Sequence, residues 1–260
     1  MVHRYDHLPP ATAMAEASAP APSRNGGRRP GDKVDEAREG KLLIGVLALQ
    51  GSVDEHIDVL HKLGAATREI RVKDQIAGVD GLVFPGGEST AMAIMTEGDG
   101  LFPALRAAVA AGTPAYGTCA GLILLADDCV GQKTGGQTLV GGLDCTVCRN
   151  YFGAQVSSFE LPLDGSPDAA PAVFIRAPAI LARGKNCESL ASVTSAPAPE
   201  AVPHVAAFSE RQAKKREGSS EREVCVAARQ GHILATAFHP ELTQDSRWHA
   251  MFLEMVEESK

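Results

Sequence analysis

The chain is predicted to fold as an α/β protein, with a mostly parallel central sheet, helices on both faces and an antiparallel edge. Three observations lead there. Short continuous apolar runs of strand length, Leu42 to Leu49, Gly81 to Phe84 and Thr113 to Tyr116, lack polar alternation, as expected of strands buried on both faces. Helical stretches separate these runs, and a β-α-β-α alternation implies parallel pairing with right-handed crossovers. Beyond about residue 137 the apolar runs shorten and turn residues multiply, which marks antiparallel additions to one edge.

Taken in order, residues 1–40 are rich in Ala, Pro, Gly and charge and are expected to be a disordered extension, with too little apolar surface to offset ordering entropy. A transit peptide fits less well, because six acidic residues lie between Asp6 and Glu39. One folded domain is expected over 41–260. After the strand Leu42 to Leu49, Ser52 reads as a helix N-cap and Glu55 as its capping-box partner. Val53, Ile57, Leu60 and Leu63 then keep helical spacing as far as Gly64. Thr67 to Val72 and Gly81 to Phe84 are further strands, and one or two helices between Ser89 and Ala111 break near Gly98-Asp99-Gly100. Past the strand into Tyr116, a helix is expected from Leu122 to Ala126. Short strands follow at Val140, Leu143 to Val147, Val156 to Leu161, Val173 to Ile175 and Leu190 to Val193. Residues 195–222, with three prolines and the charged run Glu210 to Glu217, read as a mobile surface insertion. Val224 to Ala228 and His232 to Phe238 form a predicted hairpin about Gln230-Gly231. Leu242 to Val256 closes the chain as a helix with Trp248, Phe252 and Met255 on its apolar face.

At 260 residues and 44% hydrophobic, the chain can bury a sizeable core. A net charge of −7 argues against a nucleic-acid binder, and no apolar run is long enough to span a bilayer. Six cysteines without framework spacing suggest free thiols in a reducing, cytoplasmic setting.

The chemistry centres on Gly117-Thr118-Cys119-Ala120-Gly121. A cysteine between two glycines at a strand-to-helix corner follows the logic of a nucleophile elbow: the turn is tight, and the side chain is pushed where a substrate reaches it. The helix that follows points its positive end at the sulfur, which suits an anionic nucleophile. A buried structural cysteine is the competing reading of the pentapeptide alone. His239-Pro240-Glu241, just past another strand, tips the balance. A carboxylate beside an imidazole fixes its tautomer, and that imidazole can take a thiol proton. Gln50, the run Pro85-Gly86-Gly87-Glu88-Ser89 and Cys119 all follow predicted strands, so they are expected on one rim of the sheet.

With these segments the sequence resembles the triad (class I) glutamine amidotransferases, and within them the glutaminases that serve pyridoxal 5′-phosphate synthases. The resemblance is carried by Ile44 to Gly51, Pro85 to Thr90, Gly117 to Gly121, Arg149 to Gly153, Phe174 to Pro178 and Phe238 to Thr243, in family order. It implies a three-layer, flavodoxin-like fold and a Cys119, His239, Glu241 triad that hydrolyses L-glutamine. Gly87, Glu88, Ser89, Arg149, Ile175 and Arg176 are implied to hold substrate. Gly86, Gly87, Ala120 and Gln50 are implied to form or flank the oxyanion hole. The implied partner is the synthase subunit, a TIM-barrel lyase in a hetero-oligomer, with no metal, cofactor, membrane or nucleic acid involved. Two alternatives stand beside this: a stand-alone cysteine hydrolase of the same fold, such as a γ-glutamyl hydrolase, or a catalytically silent partner-binding subunit. Cys145 and Cys148 have zinc-knuckle spacing but no second pair. His56, His61, His204, His232 and His249 show no partner pattern and read as surface or packing residues.

Overall fold

The computed structural model describes residues 40–96, 98–132, 136–153, 159–161, 172–212 and 221–260. The expected N-terminal extension therefore lies outside the described residues, apart from Gly40. In chain order the first elements are β1 (Leu43–Leu47), α1 (Val53–Lys62), β2 (Ala66–Ile70), β3 (Gly81–Phe84), α2 (Ser89–Met95), α3 (Leu101–Ala110), β4 (Ala115–Thr118) and α4 (Ala120–Leu125). Then come β5 (Ala126–Val130), β6 (Leu143–Cys148), β7 (Phe159–Leu161), β8 (Ala172–Phe174), β9 (Ala179–Arg183) and β10 (Glu188–Ser195). The chain closes with α5 (Val202–Arg211), β11 (Arg222–Gln230), β12 (Ile233–Thr236), a 3₁₀ turn at Pro240–Leu242 and α6 (Arg247–Glu258).

The large sheet has the order β2-β1-β3-β4-β12-β11-β9-β6-β5, with β10 also paired to β11, and β7 and β8 form a separate hairpin. Its first five strands are parallel, as the unbroken apolar runs require, and every residue of β1, β3, β4 and β12 is buried. Across β11, β9 and β6 the pairing turns antiparallel, and β5 lies parallel to β6. The chain winds outward from β1 in both directions. A doubly wound sheet of this order opens a crevice beyond the carboxyl ends of its strands, where the winding reverses. The segments after β1, β3, β4 and β12 meet there, which puts Gln50, Gly86, Cys119 and His239 on one rim.

Several local expectations are revised. The stretch 195–222 carries α5, with Val205 and Phe208 buried, so its first half is part of the domain's packing and not a mobile insertion; residues 213–220 lie outside the described set. Strands β5 and β9 escaped the sequence reading. β5 starts immediately after α4, where Ala126 is already extended, and Asp127 accepts the N–H of Gly142 to hold the new direction. The closing helix starts at Arg247, five residues later than expected, because the 3₁₀ turn intervenes and Asp245 accepts the Arg247 N–H at 3.1 Å.

The two glycines of the elbow act sterically. A Cβ on Gly121 would sit 1.9 Å from the carbonyl oxygen of Phe84, and one on Gly117 would sit 2.5 Å from the Gly121 carbonyl carbon. They let the start of α4 press against β3 and β4, while the positive φ of 49° falls on Cys119 itself. A non-glycine residue there is uncommon and strained, and it persists only where surrounding packing enforces it. Since the obstacle at Gly121 is backbone and cannot swing away, Gly121→Ala is expected to destabilise the fold by more than about 3 kcal/mol, the upper end for ordinary overpacking. Urea unfolding checks this; a midpoint equal to that of the unaltered chain would refute the steric account.

Candidate active site

Cys119 ends β4 and begins α4. Its N–H donates to the Thr236 carbonyl at 2.8 Å, so β12 fixes the corner from one side while α4 fixes it from the other. Cys119 is 6% exposed, and its sulfur lies 3.9 Å from the Ile175 carbonyl oxygen. Elsewhere burial pushes the thiols of Cys129 and Cys187 up to about 11 and that of Cys148 up to about 12.

His239 leaves β12 with its backbone N–H donated to Val173 of β8 at 2.9 Å. Its Nδ1 lies 2.7 Å from Glu241 Oε1, and Cys119 lies beside the same ring: a Cβ built on Gly86 would fall 2.3 Å from His239 Cε1 and 3.5 Å from Cys119 Cβ. His239 and Glu241 meet through the 3₁₀ turn at Pro240–Leu242. Burial would lower the His239 pKa, but Cys119 and then Glu241 outweigh it and hold the imidazole well above its ordinary 6.5. Glu241 is 6% exposed, and burial alone would raise it. His56, His239 and the Ser52 hydroxyl instead bring it down to about 2. Cys119, the imidazole and the carboxylate thus lie together, with the ring between them and its pKa raised.

Gly86 lines this ring closely: a Cβ there would fall 2.3 Å from His239 Cε1. Its N–H donates to Thr118 Oγ1 at 2.9 Å, so as placed it is not aimed at the reacting centre. The Gly87 N–H has no hydrogen-bond partner among the described residues. Ala120 is the first residue of α4, where the backbone N–H has no acceptor within the helix. Gln50 turns its side-chain oxygen to the Glu88 N–H at 2.6 Å, which ties the segment after β1 to the segment after β3.

A second cluster forms the wall beside α2. Glu88 caps α2 by accepting from the N–H groups of Thr90 and Ala91. Arg149, buried at the end of β6, donates to Glu88 Oε1 at 2.7 Å, to Thr90 Oγ1 at 2.7 Å and to Gln137 Oε1 at 3.0 Å. Ser89 also donates to Gln137 Oε1, at 3.1 Å. Gln137 went unnoticed in the sequence, and its Nε2 is buried without a hydrogen-bond partner among the described residues. Ile175 and Arg176 follow β8, and Arg176 is exposed with a positive φ of 49°.

Three residues behind Glu241 make contacts that the sequence did not reveal. Ser52 stands at the N-cap position of α1 but makes no side-chain cap; its hydroxyl donates to Glu241 Oε1 at 2.6 Å. His56 and His249, read as surface or packing residues, are fully buried and linked, Nδ1 to Nε2, at 2.8 Å. His56 Nε2 also lies 3.0 Å from Thr118 Oγ1 and 3.6 Å from Glu241 Oε2.

A doubly wound sheet with a cysteine corner and an imidazole–carboxylate couple at its carboxyl edge is an arrangement that nucleophilic acyl chemistry can use. Comparison with known proteins gives the family. The SNO glutamine amidotransferase family matches over residues 46–197 and 198–258, and the chain belongs to it. An Arabidopsis thaliana protein named "Probable pyridoxal 5′-phosphate synthase subunit PDX2" is 51% identical over 84% of this chain and 87% of its own length. A Clavibacter sepedonicus pyridoxal 5′-phosphate synthase subunit PdxT is 44% identical over 84% of this chain and 92% of its own. A solved glutamine amidotransferase superposes with a TM-score of 0.65 at 36% identity, over 82% of this chain and 98% of its own. Among the described residues no helix is long and apolar enough to cross a membrane.

The buried groups set a pH dependence of stability. Burial depresses His56 below 6.5, and depresses His249 to about 3, against the opposing pull of Glu241. Unfolding exposes all three groups. As pH falls below 6.5 the unfolded chain takes up histidine protons that the fold refuses, and below 4.5 the same holds for Glu241. Stability is therefore fully present above pH 6.5 and is lost progressively towards pH 3. His239 has the opposite sign: its raised value stabilises below 6.5, and that contribution fades at alkaline pH. Urea midpoints are expected to fall steadily from pH 7 to pH 4, and less steeply in His249→Phe. Parallel profiles for the two proteins would contradict the buried neutral histidine.

Proposed function

We propose that this chain hydrolyses L-glutamine to L-glutamate and ammonia, and delivers the ammonia to the synthase subunit of a cytoplasmic pyridoxal 5′-phosphate synthase. The observation that carries the reading is the meeting of Cys119, His239 and Glu241: a Cβ on Gly86 would fall 2.3 Å from His239 Cε1 and 3.5 Å from Cys119 Cβ, and Glu241 Oε1 lies 2.7 Å from His239 Nδ1. In the proposed reaction the Cys119 sulfur anion attacks the side-chain amide carbon of glutamine, and a tetrahedral oxyanion forms. The His239 imidazolium gives its proton to the amide nitrogen, the C–N bond breaks, ammonia leaves, and a thioester remains on Cys119. The ring, now neutral, takes a proton from water as that water attacks the thioester; glutamate departs and the sulfur anion and imidazolium are restored. Glu241 keeps the ring oriented and stabilises its charge throughout.

The oxyanion needs aimed donors, each worth about 3 kcal/mol. Ala120 supplies one from the start of α4. Because Thr118 engages the Gly86 N–H, the second comes from Gly87, or from a turn of the Gly86-Gly87 peptide, which glycine permits at little steric cost. We assign that turn to docking of the synthase, a TIM-barrel lyase in this reading, which makes activity partner-dependent. Glu88, Ser89, Ile175 and Arg176 surround the substrate. Arg149 offers the wall's positive charge, and Gln137 and Thr90 hold its fork in place.

Cys119→Ala is expected to abolish ammonia release while leaving assembly with a pyridoxal phosphate synthase subunit intact, as read by glutaminase assay and size-exclusion chromatography. Normal turnover would remove Cys119 from the mechanism, and vigorous turnover by the unaltered chain alone would favour a stand-alone hydrolase. Arg149→Lys keeps charge but loses the planar fork. It is expected to raise KM for glutamine about tenfold with a smaller change in kcat; an unchanged KM would take Arg149 out of substrate binding.

A further inference from the structure

We infer that Ser52 and His56, one helical turn apart at the start of α1, are positioning residues that hold the Glu241 carboxylate from both of its oxygens, with His249 fixing the ring of His56. The inference rests on the glutaminase reading above. Residues four apart on a helix share a face. Here that face is turned to the 3₁₀ turn that carries Glu241. Ser52 donates to Oε1 at 2.6 Å, although a serine at an N-cap ordinarily spends its hydroxyl on the helix's own N–H groups. Oε1 therefore receives both Ser52 and His239. Oε2 is buried without a hydrogen-bond partner among the described residues, and His56 Nε2 faces it at 3.6 Å. That separation is too long for a hydrogen bond, but a ring N–H pointed at a carboxylate in a dry interior still attracts it.

The hydrogen on Nε2 follows from the packing around the two imidazoles. Burial keeps both rings neutral, so they share one hydrogen across the 2.8 Å contact. If His56 donated it from Nδ1, its Nε2 lone pair would face the carboxylate, and His249 would carry its own hydrogen on Nδ1, which is buried without a partner among the described residues. If His249 donates from Nε2, His56 carries its hydrogen on Nε2, facing Thr118 Oγ1 and Glu241 Oε2, and His249 leaves only a lone pair unmet. An unmet acceptor beside an attracted N–H is the better arrangement than an orphan N–H beside a repelled lone pair. The remaining groups around the pair fit it: Asp245 and Glu241 bear on His249, His239 on His56, and the Tyr116 ring packs edge-on to both. Through Thr118, which also accepts the Gly86 N–H, the His56 ring steadies the peptide that presses on His239. One helix turn thus sets both the carboxylate and the ring that it orients.

The test compares Ser52→Ala, His56→Asn, His56→Gln and Cys119→Ala. Each is assayed for kcat and KM of ammonia release in complex with the synthase subunit, and the three that keep Cys119 also for the pH dependence of its alkylation by iodoacetamide, followed by mass spectrometry. Ser52→Ala and His56→Asn are expected to lower kcat about ten- to a hundredfold, the scale of a misplaced catalytic group, with KM held within about twofold. The alkylation profile should shift in both. Glutamine places an amide N–H near the position of the ring Nε2, so His56→Gln should recover most of the loss. Unchanged kcat in Ser52→Ala and His56→Asn, or equal losses in His56→Asn and His56→Gln, would overturn the inference while leaving the glutaminase reading standing. Should His56→Asn fail to fold, Ser52→Ala decides alone, since Ser52 is half-buried and contributes no core packing. Retained turnover in Cys119→Ala would sink the underlying reading instead.

Discussion

A carboxylate charge in a protein interior persists only where it is met from several sides, because desolvation otherwise exceeds what one partner returns. Glu241 is such a charge, and much of the molecule converges on it. The turn after β12 presents it, α1 reaches it with Ser52 and His56, and α6 backs it through His249. Its partner His239 is pinned in turn by β8 and crowded by Gly86. The surroundings of Cys119 can be read outward from this one group.

The two halves of the sheet divide the work. The parallel half, β1 to β4 with β12, brings together the groups read as reacting, because its strands all end on one rim. The segments beyond it supply the wall: Arg149 follows β6, and Ile175 and Arg176 follow β8. A crevice between a rigid parallel core and later additions lets recognition vary without disturbing the chemistry, which fits a fold that hosts many activities.

The parallel core was legible in the sequence because strands buried on both faces leave unbroken apolar runs. Cys119, His239 and Glu241 were legible because each sits in turn chemistry with a local signature. What escaped depended on contacts between distant segments. Ser52 obeyed the local rule for an N-cap, and a tertiary partner 189 positions away overrode it. His56 and His249 lie 193 positions apart, and neither carries a local sign that it will be buried against the other. The elbow glycines were found, but for torsional reasons; the cause was the close approach of Phe84, which no spacing reveals. In α5 the prolines and charges of its neighbourhood masked two buried apolar residues.

The Ser52–Glu241 bond has a consequence for biogenesis. It closes a loop of 189 positions, and synthesis delivers β1, α1 and the cysteine corner well before the turn that completes them. On the ribosome, then, Cys119 emerges well before His239 and Glu241, and under the proposed mechanism a chain stalled between them would be inert towards amides.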